Sequence, residues 1–347
     1  MKIIPGSRRR HYLAIVSVFL VAAALIAGMV GCNTHVDPPL SQNLEIQTWY
    51  DLDAVRYNMT GNYTLLNDLA SSTAGYTELA GPTANEGKGW DPIGSWDLQL
   101  NIGDPIFSGT FDGQGYEIRD LFINRPGEGG VGLFGFVGGG VIKDIGVVNA
   151  DVTSGEFIGS LVGCNNGTVS NSYSAGSVNG TFWGGGLVGF NFEEGTVSNS
   201  YSTSNAIGGY GTGGLAGGNW RGTVSNSYAT GSVTGYEGAG GLLGANWEGT
   251  VSNSYSTGSV TGDINAWGLV GFAPGTVSNS FWDTETSGQS WSPWGGTGKN
   301  TTEMQDITTF SGAGWNITTV SGIGERNPSY IWNIVDDVTY PFLSWQS

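Results

Sequence analysis

Between Gly167 and Trp282 the charged side chains are Glu193, Glu194, Arg221, Glu237, Glu248 and Asp263. A polysaccharide lyase needs Arg or Lys beside a proton-abstracting group, and a glycoside hydrolase needs two carboxylates flanking one bond. These six are scattered through variable loops. Upstream, Asp112, Asp120, Asp144 and Asp151 are the set of acids that could supply a carboxylate pair, which keeps a carbohydrate-active enzyme as the alternative reading. His11 lies in the leader, His35 stands three residues after Cys32, and no HExxH occurs. A His-dependent triad and the usual zinc peptidase are therefore excluded. No catalytic residue, cofactor or metal is expected; a weak Ca²⁺ site among surface acids is the one ion site left open.

Cys32 offers a different chemistry. Residues 1–11, MKIIPGSRRRH, are basic, Tyr12 to Val30 are almost entirely apolar, and MVGC (Met29 to Cys32) closes the run as in an export signal. MVGC resembles a lipoprotein lipobox, in which a small residue precedes a Cys that is acylated and becomes the new N-terminus; Met29 stands where Leu is usual. An uncleaved anchor and plain secretion are the other outcomes of such a leader, and Arg9-Arg10 leaves general and twin-arginine export both open. The expectation is a signal peptide over 1–31, lipidation at Cys32 and a tether over 32–43, which would hold the chain to a membrane at the cell surface.

Four of the 12 basic residues and none of the 29 acidic ones lie in the leader, leaving 8 against 29 in the remainder. Such a surface repels nucleic acid. With Cys32 lipidated, Cys164 has no disulfide partner, so the fold must stand without a crosslink. Sixty-one Gly argue against helices and 13 Trp argue against disorder, which points to an all-β exported chain.

The sequence GTVSNSYATGSVTG begins at Gly222, and close copies begin at Gly167, Gly195, Gly249 and Gly275; weaker ones start at Gly140 and Gly115. About seven units of this period predict a parallel β-helix, each unit one coil stacked on the last. Val169, Val197, Val224, Val251 and Val277 then form one inward column, continued upward by Ile142 and Ile118. Leu161, Leu187, Leu215, Leu242 and Leu269 form another. Two residues after each Val comes Asn171, Asn199, Asn226, Asn253 or Asn279, with Asp144 and Asp120 upstream, expected as a structural amide ladder at a bend. A second amide column comprises Asn165, Asn191, Asn219 and Asn246.

Two variable loops per coil carry aromatics. The first, before each GLVG-like turn, holds Phe182, Trp183, Tyr210, Tyr236 and Trp267; the second, after it, holds Phe192, Trp220-Arg221 and Trp247-Glu248. Equivalent loops on stacked coils share an edge, so these ten residues are the candidate strip for a glycan or a surface protein, with core cover as the alternative.

Open solenoid ends need capping. Thr48-Trp-Tyr-Asp51 is a capping box for a short helix, Asn62 to Leu69 reads as a strand, Asn300-Thr-Thr-Glu303 opens another helix, and Tyr330 to Asp337 and Tyr340 to Trp345 read as closing strands. GGLVGFN (Gly185 to Asn191), GGLAGGN (Gly213 to Asn219) and GGLLGAN (Gly240 to Asn246) resemble the GLUG motif of bacterial and archaeal surface proteins. GKGWDPIGS (Gly87 to Ser95), FSGTFDGQGYEIRDL (Phe107 to Leu121) and SFWDTETSG (Ser280 to Gly288) are similar to segments that bracket such repeats. The resemblance implies a cell-surface, adhesin-like scaffold and brings no catalytic residues. The expected organisation is an N-terminal cap with the first strands over 44–114, GLUG-type β-helix repeats over 115–282 and a C-terminal cap over 283–347.

Overall fold

A coil that returns to its own starting side pairs each strand with its equivalent in the next coil, so parallel sheets form without crossover helices. The computed structural model describes residues 43–95, 105–272 and 274–346 and has this architecture: two 13-stranded sheets built from parallel pairs, plus a three-stranded sheet near the C-terminus. The signal peptide, Cys32 and nearly all of the 32–43 tether lie outside the described residues. The fold is the expected all-β parallel solenoid.

The columns show why the repeat length fixes it. Val169, Val197, Val224, Val251 and Val277 pair in succession. Leu161, Leu187, Leu215, Leu242 and Leu269 are fully buried, each N–H donating to the carbonyl of the next Leu at 2.9–3.0 Å. Every fully buried Val or Leu contributes about 1.5–3 kcal/mol, and a coil obtains this burial only from its neighbours. Upstream, the valine column runs through Ile142 and Phe111. Ile118 does not belong to it: Gln114 (φ 54°) and Gly115 (φ 83°) turn the corner first, and Ile118 pairs with Val147 in the other sheet. Asp120 likewise sits at a different corner from Asp144, where its Oδ1 accepts from Asn149 Nδ2 at 2.7 Å.

Two polar columns divide the work expected of one. Asn171, Asn199, Asn226, Asn253 and Asn279 all turn the chain in the left-handed region, with φ of 46–48°, a conformation Asn adopts more readily than most residues. They are half-exposed or exposed. Among the described residues their one Asn–Asn contact is Asn253 to Asn226 at 3.5 Å, while Asn171 donates to Asp144 at 2.9 Å. The amide ladder is instead the second column: Asn165 donates to Asn191, Asn191 to Asn219 and Asn219 to Asn246 at 2.7–2.8 Å, with all four fully buried. The corner amides keep partial exposure; the other amides point inward, where they pair with one another and with nearby backbone groups, as Asn191 does with Gly195 O at 2.9 Å.

At the N-terminal end, Thr48 caps the helix Trp49–Asp53 in a capping box, and the strands Asn43–Ile46, Asn62–Leu65 and Thr110–Asp112 stack below the first repeat. Downstream, Asn300 caps Thr301–Gln305. The expected closing strands shorten to Trp332–Ile334 and Phe342–Leu343. Only Thr297–Lys299 continues the stack, on Phe281–Asp283. Just ahead of it Trp294 packs on Phe272 at the end of the coils, and the later part of the C-terminal segment lies against their side: Trp345 packs on Tyr173 and Tyr201, and its Nε1 donates to Asn199 O at 3.0 Å.

Candidate binding surface

The first variable segment is strand rather than loop. Asn205–Gly213, Val233–Gly240 and Val260–Trp267 run in parallel register, each kinked once in the left-handed region, at Gly211, Gly238 and Asn265; Trp183 makes the same kink one coil earlier (φ 56°). Phe182, ahead of the kink, pairs with Tyr210. Their rings stack at 5.1 Å and 8°, and Tyr236 meets Tyr210 edge-on at 5.6 Å. Stacked coils therefore turn aromatic faces toward one another and leave mainly ring edges outward. Of the three, Tyr236 is exposed, at 47%.

Trp183 and Phe192 are buried, at 7% and 2%. The Trp183 ring fills space left by two glycines in the next coil: a Cβ would lie 2.2 Å from it at Gly211 and 3.3 Å at Gly218. It reaches Trp247 at 4.8 Å, edge to face, so that a residue of the first variable segment touches one of the second. Trp247 also meets Phe272 at 5.8 Å. Trp267 departs from the expected position. It pairs with Gly240 in the glycine column, where a side chain on an inner coil would meet the next coil's backbone, 2.5 Å away at Gly240. Val260–Trp267 is the terminal strand of its column, so no further strand follows Trp267 there.

The second segment makes an ionic column. Glu193, Arg221 and Glu248 occupy equivalent left-handed corners (φ 53°, 59° and 52°). Arg221 Nε donates to Glu248 at 2.9 Å, its Nη1 lies 3.9 Å from Glu193, and its guanidinium covers the Trp220 ring at 4.8 Å. Exposed pairs of this kind contribute at most about 1 kcal/mol. A third carboxylate belongs to the aromatic row: Glu156 pairs with Phe182, and burial raises its pKa above the ordinary glutamate value. Burial also pushes up the Cys164 thiol, which is free and fully enclosed.

One array was not anticipated from the sequence. Tyr173, Tyr201, Tyr228 and Tyr255 stack in succession at 4.9 Å with planes 3–7° apart. Tyr173 OH hydrogen-bonds to Glu117 at the upstream end, and Tyr255 OH donates to Pro341 O at 2.5 Å. The C-terminal segment covers this row with Phe310, Trp315, Trp332 and Leu343. Its signal in the sequence is SNSY, which recurs in the copies beginning at Gly167, Gly195, Gly222 and Gly249 and becomes SNSF in the copy at Gly275.

Comparison with known proteins agrees with the architecture. The family model described as the GLUG motif matches residues 208–234 and 235–261, so the chain carries GLUG repeats. Halomucin of Haloquadratum walsbyi is 34% identical over 170 residues, 48% of this chain and 2% of that protein. A candidate Gly-rich membrane protein of Evansella cellulosilytica is 31% identical over 132 residues, 36% of this chain and 14% of that protein. The chain thus spans a small part of the length of these relatives. Among solved structures, a candidate immunoglobulin A1 protease from Bacteroides ovatus matches with a TM-score of 0.60 over 89% of this chain and 94% of that one, at 20% identity, a likeness of fold alone.

Proposed function

We propose that this chain is a cell-surface scaffold, lipid-anchored through Cys32, whose solenoid edge at Tyr236, Trp220, Arg221, Trp247 and Glu248 holds a glycan or protein partner. The observation that carries the reading is the convergence of both variable segments on one edge, joined by the Trp183–Trp247 contact, with Tyr236 exposed on a paired strand and Arg221 and Glu248 exposed at the corners that directly end two others, a stiff support. Stiffness lowers the ordering cost of binding. Trp183 and Phe192 support this edge from beneath. The relatives named as halomucin and as a membrane protein fit a surface location.

The purified chain, screened on glycan and protein arrays, should bind a partner that the combined Tyr236→Ala, Arg221→Ala and Glu248→Ala variant binds at least about ten-fold more weakly, equivalent to about 1.4 kcal/mol. Unchanged binding by a folded variant would place the partner elsewhere. Cys32→Ala should abolish incorporation of labelled fatty acid; continued labelling would defeat the anchor.

A further inference from the structure

The outer side of the valine-column strands presents hydroxyls in two ranks. Thr168, Thr196, Thr223, Thr250 and Thr276 pair in register from coil to coil, and Ser170, Ser198, Ser225, Ser252 and Ser278 do the same. Strand alternation sets each Thr and Ser opposite the valine between them, and separates the ranks by about 6.6 Å. The neighbouring tyrosine row measures the rung spacing at 4.9 Å and shows planes only 3–7° apart. Ordinary neighbouring strands twist by about 20–25°; these coils stack almost without twist, so the ranks form a flat grid.

The hydroxyls of this grid are unspent. Thr196 donates to Glu194 O at 3.4 Å and Ser278 to Val251 O at 3.5 Å; among the described residues the other eight hydroxyls have no protein partner. All ten residues are half-exposed or exposed. The adjacent row of Ser172, Ser200, Ser227, Ser254 and Ser280 behaves oppositely, every hydroxyl donating to a carbonyl two residues back at 2.7–2.8 Å. In a chain of formal net charge −17, the two ranks contain no ionisable side chain and no aromatic ring. A charged ligand finds no counter-ion there, and a sugar ring finds no face to stack on.

What such a grid complements is a lattice of neutral hydrogen-bonding groups with the same repeat. O–H···O bonds of about 2.75 Å meeting at the tetrahedral angle place second-neighbour oxygens of ice about 4.5 Å apart, within about a tenth of the rung spacing. Threonine γ-methyls beside the hydroxyls favour waters that are already cage-ordered. We propose that this face binds the surface of ice crystals, its ten hydroxyls holding the first layer of lattice water. The proposal is independent of the aromatic edge.

The test is ice recrystallisation and crystal habit in the presence of the purified chain. The wild-type chain should facet growing crystals and slow recrystallisation. The pair Thr223→Lys and Thr250→Lys should weaken this by about ten-fold or more at an unchanged melting temperature, while Tyr236→Ala leaves it intact. The pair Thr223→Val and Thr250→Val, which keeps shape and β-propensity, should also weaken it and serves if the lysines unfold the chain. Crystals that grow as in buffer alone would overturn the proposal. So would undiminished activity in a folded lysine or valine pair, or retention on crystalline cellulose or chitin without any effect on ice.

Discussion

Asn219 and Asn226 stand seven residues apart in one coil and do different things. Asn219 is fully buried, accepting from Asn191 at 2.7 Å and donating to Asn246 at 2.8 Å and to Gly222 O at 3.1 Å. Replacing it with Leu strands buried polar groups on both neighbouring coils, at about 1–3 kcal/mol for each group left unpaired. Asn226 has a backbone constraint instead, φ 48°; Leu there costs about 1–2 kcal/mol of left-handed strain, whereas Gly is nearly neutral. Urea melts should therefore rank Asn219→Leu below Asn226→Leu, and Asn226→Leu below Asn226→Gly; equal midpoints for the two Leu variants would refute the division of labour. Sequence could identify both columns as structural, because Asn recurs at a fixed period in each. It could not say which pointed inward, because that depends on the corner conformation between them. Trp183 shows the same limit: its type suggested a contact surface, and the glycines of the next coil turned it into cover.

The tyrosine row and the segment covering it act as one element. Burial raises the phenol pKa values of Tyr201, Tyr228 and Tyr255. Tyr340, desolvated and donating to Asp283 at 2.7 Å, is pushed up to about 12. An unfolded tyrosine ionises near pH 10. Folding therefore favours the neutral phenols: their contribution is fully present below about pH 10 and is lost as pH rises toward and past the folded values. Tyr255→Phe should flatten the fall of stability with pH, and alkaline titrations of the parent and this variant should differ by one tyrosinate that appears only with the loss of near-ultraviolet circular dichroism. That difference appearing in an intact fold would mean that the row is open to solvent. Trp332, fully buried and 4.8 Å from Trp315, holds the covering segment. Trp332→Ala should cost about 3–5 kcal/mol, read in a thermal melt, and expose the row to an apolar dye; an unaltered melt would separate the segment from the core. The capping boxes at Thr48 and Asn300 were legible because they are local. The lateral docking was not, since it joins Trp345 to Asn199 across 146 residues.

At the scale of the whole molecule, the repeat predicts that coils are interchangeable, and the C-terminal segment sets the limit of that rule. Removing residues 222–248 joins Arg221 to Gly249, which resumes the same sequence, so the Val, Leu and inner Asn columns close up with one rung missing. Removing 222–234 would instead set unlike positions on one another and strand the inner amides. The first deletion should melt cooperatively and the second should not. Yet the covering segment is anchored at the end of the stack through Thr297–Lys299 on Phe281–Asp283, so a missing rung slides it upstream by 4.9 Å, the spacing of the tyrosine rings. Trp345, which now packs on Tyr201 and Tyr173, would face Tyr173 and Gly146. One ring contact disappears, worth about 0.5–1.5 kcal/mol. The whole-period deletion is therefore expected to remain folded but less stable than the parent, and a further Trp345→Ala should cost it less than the same change costs the intact chain. Equal costs in the two backgrounds would mean that the segment does not read the register of the coils; collapse of both deletions alike would mean that the coil is not the unit of the fold.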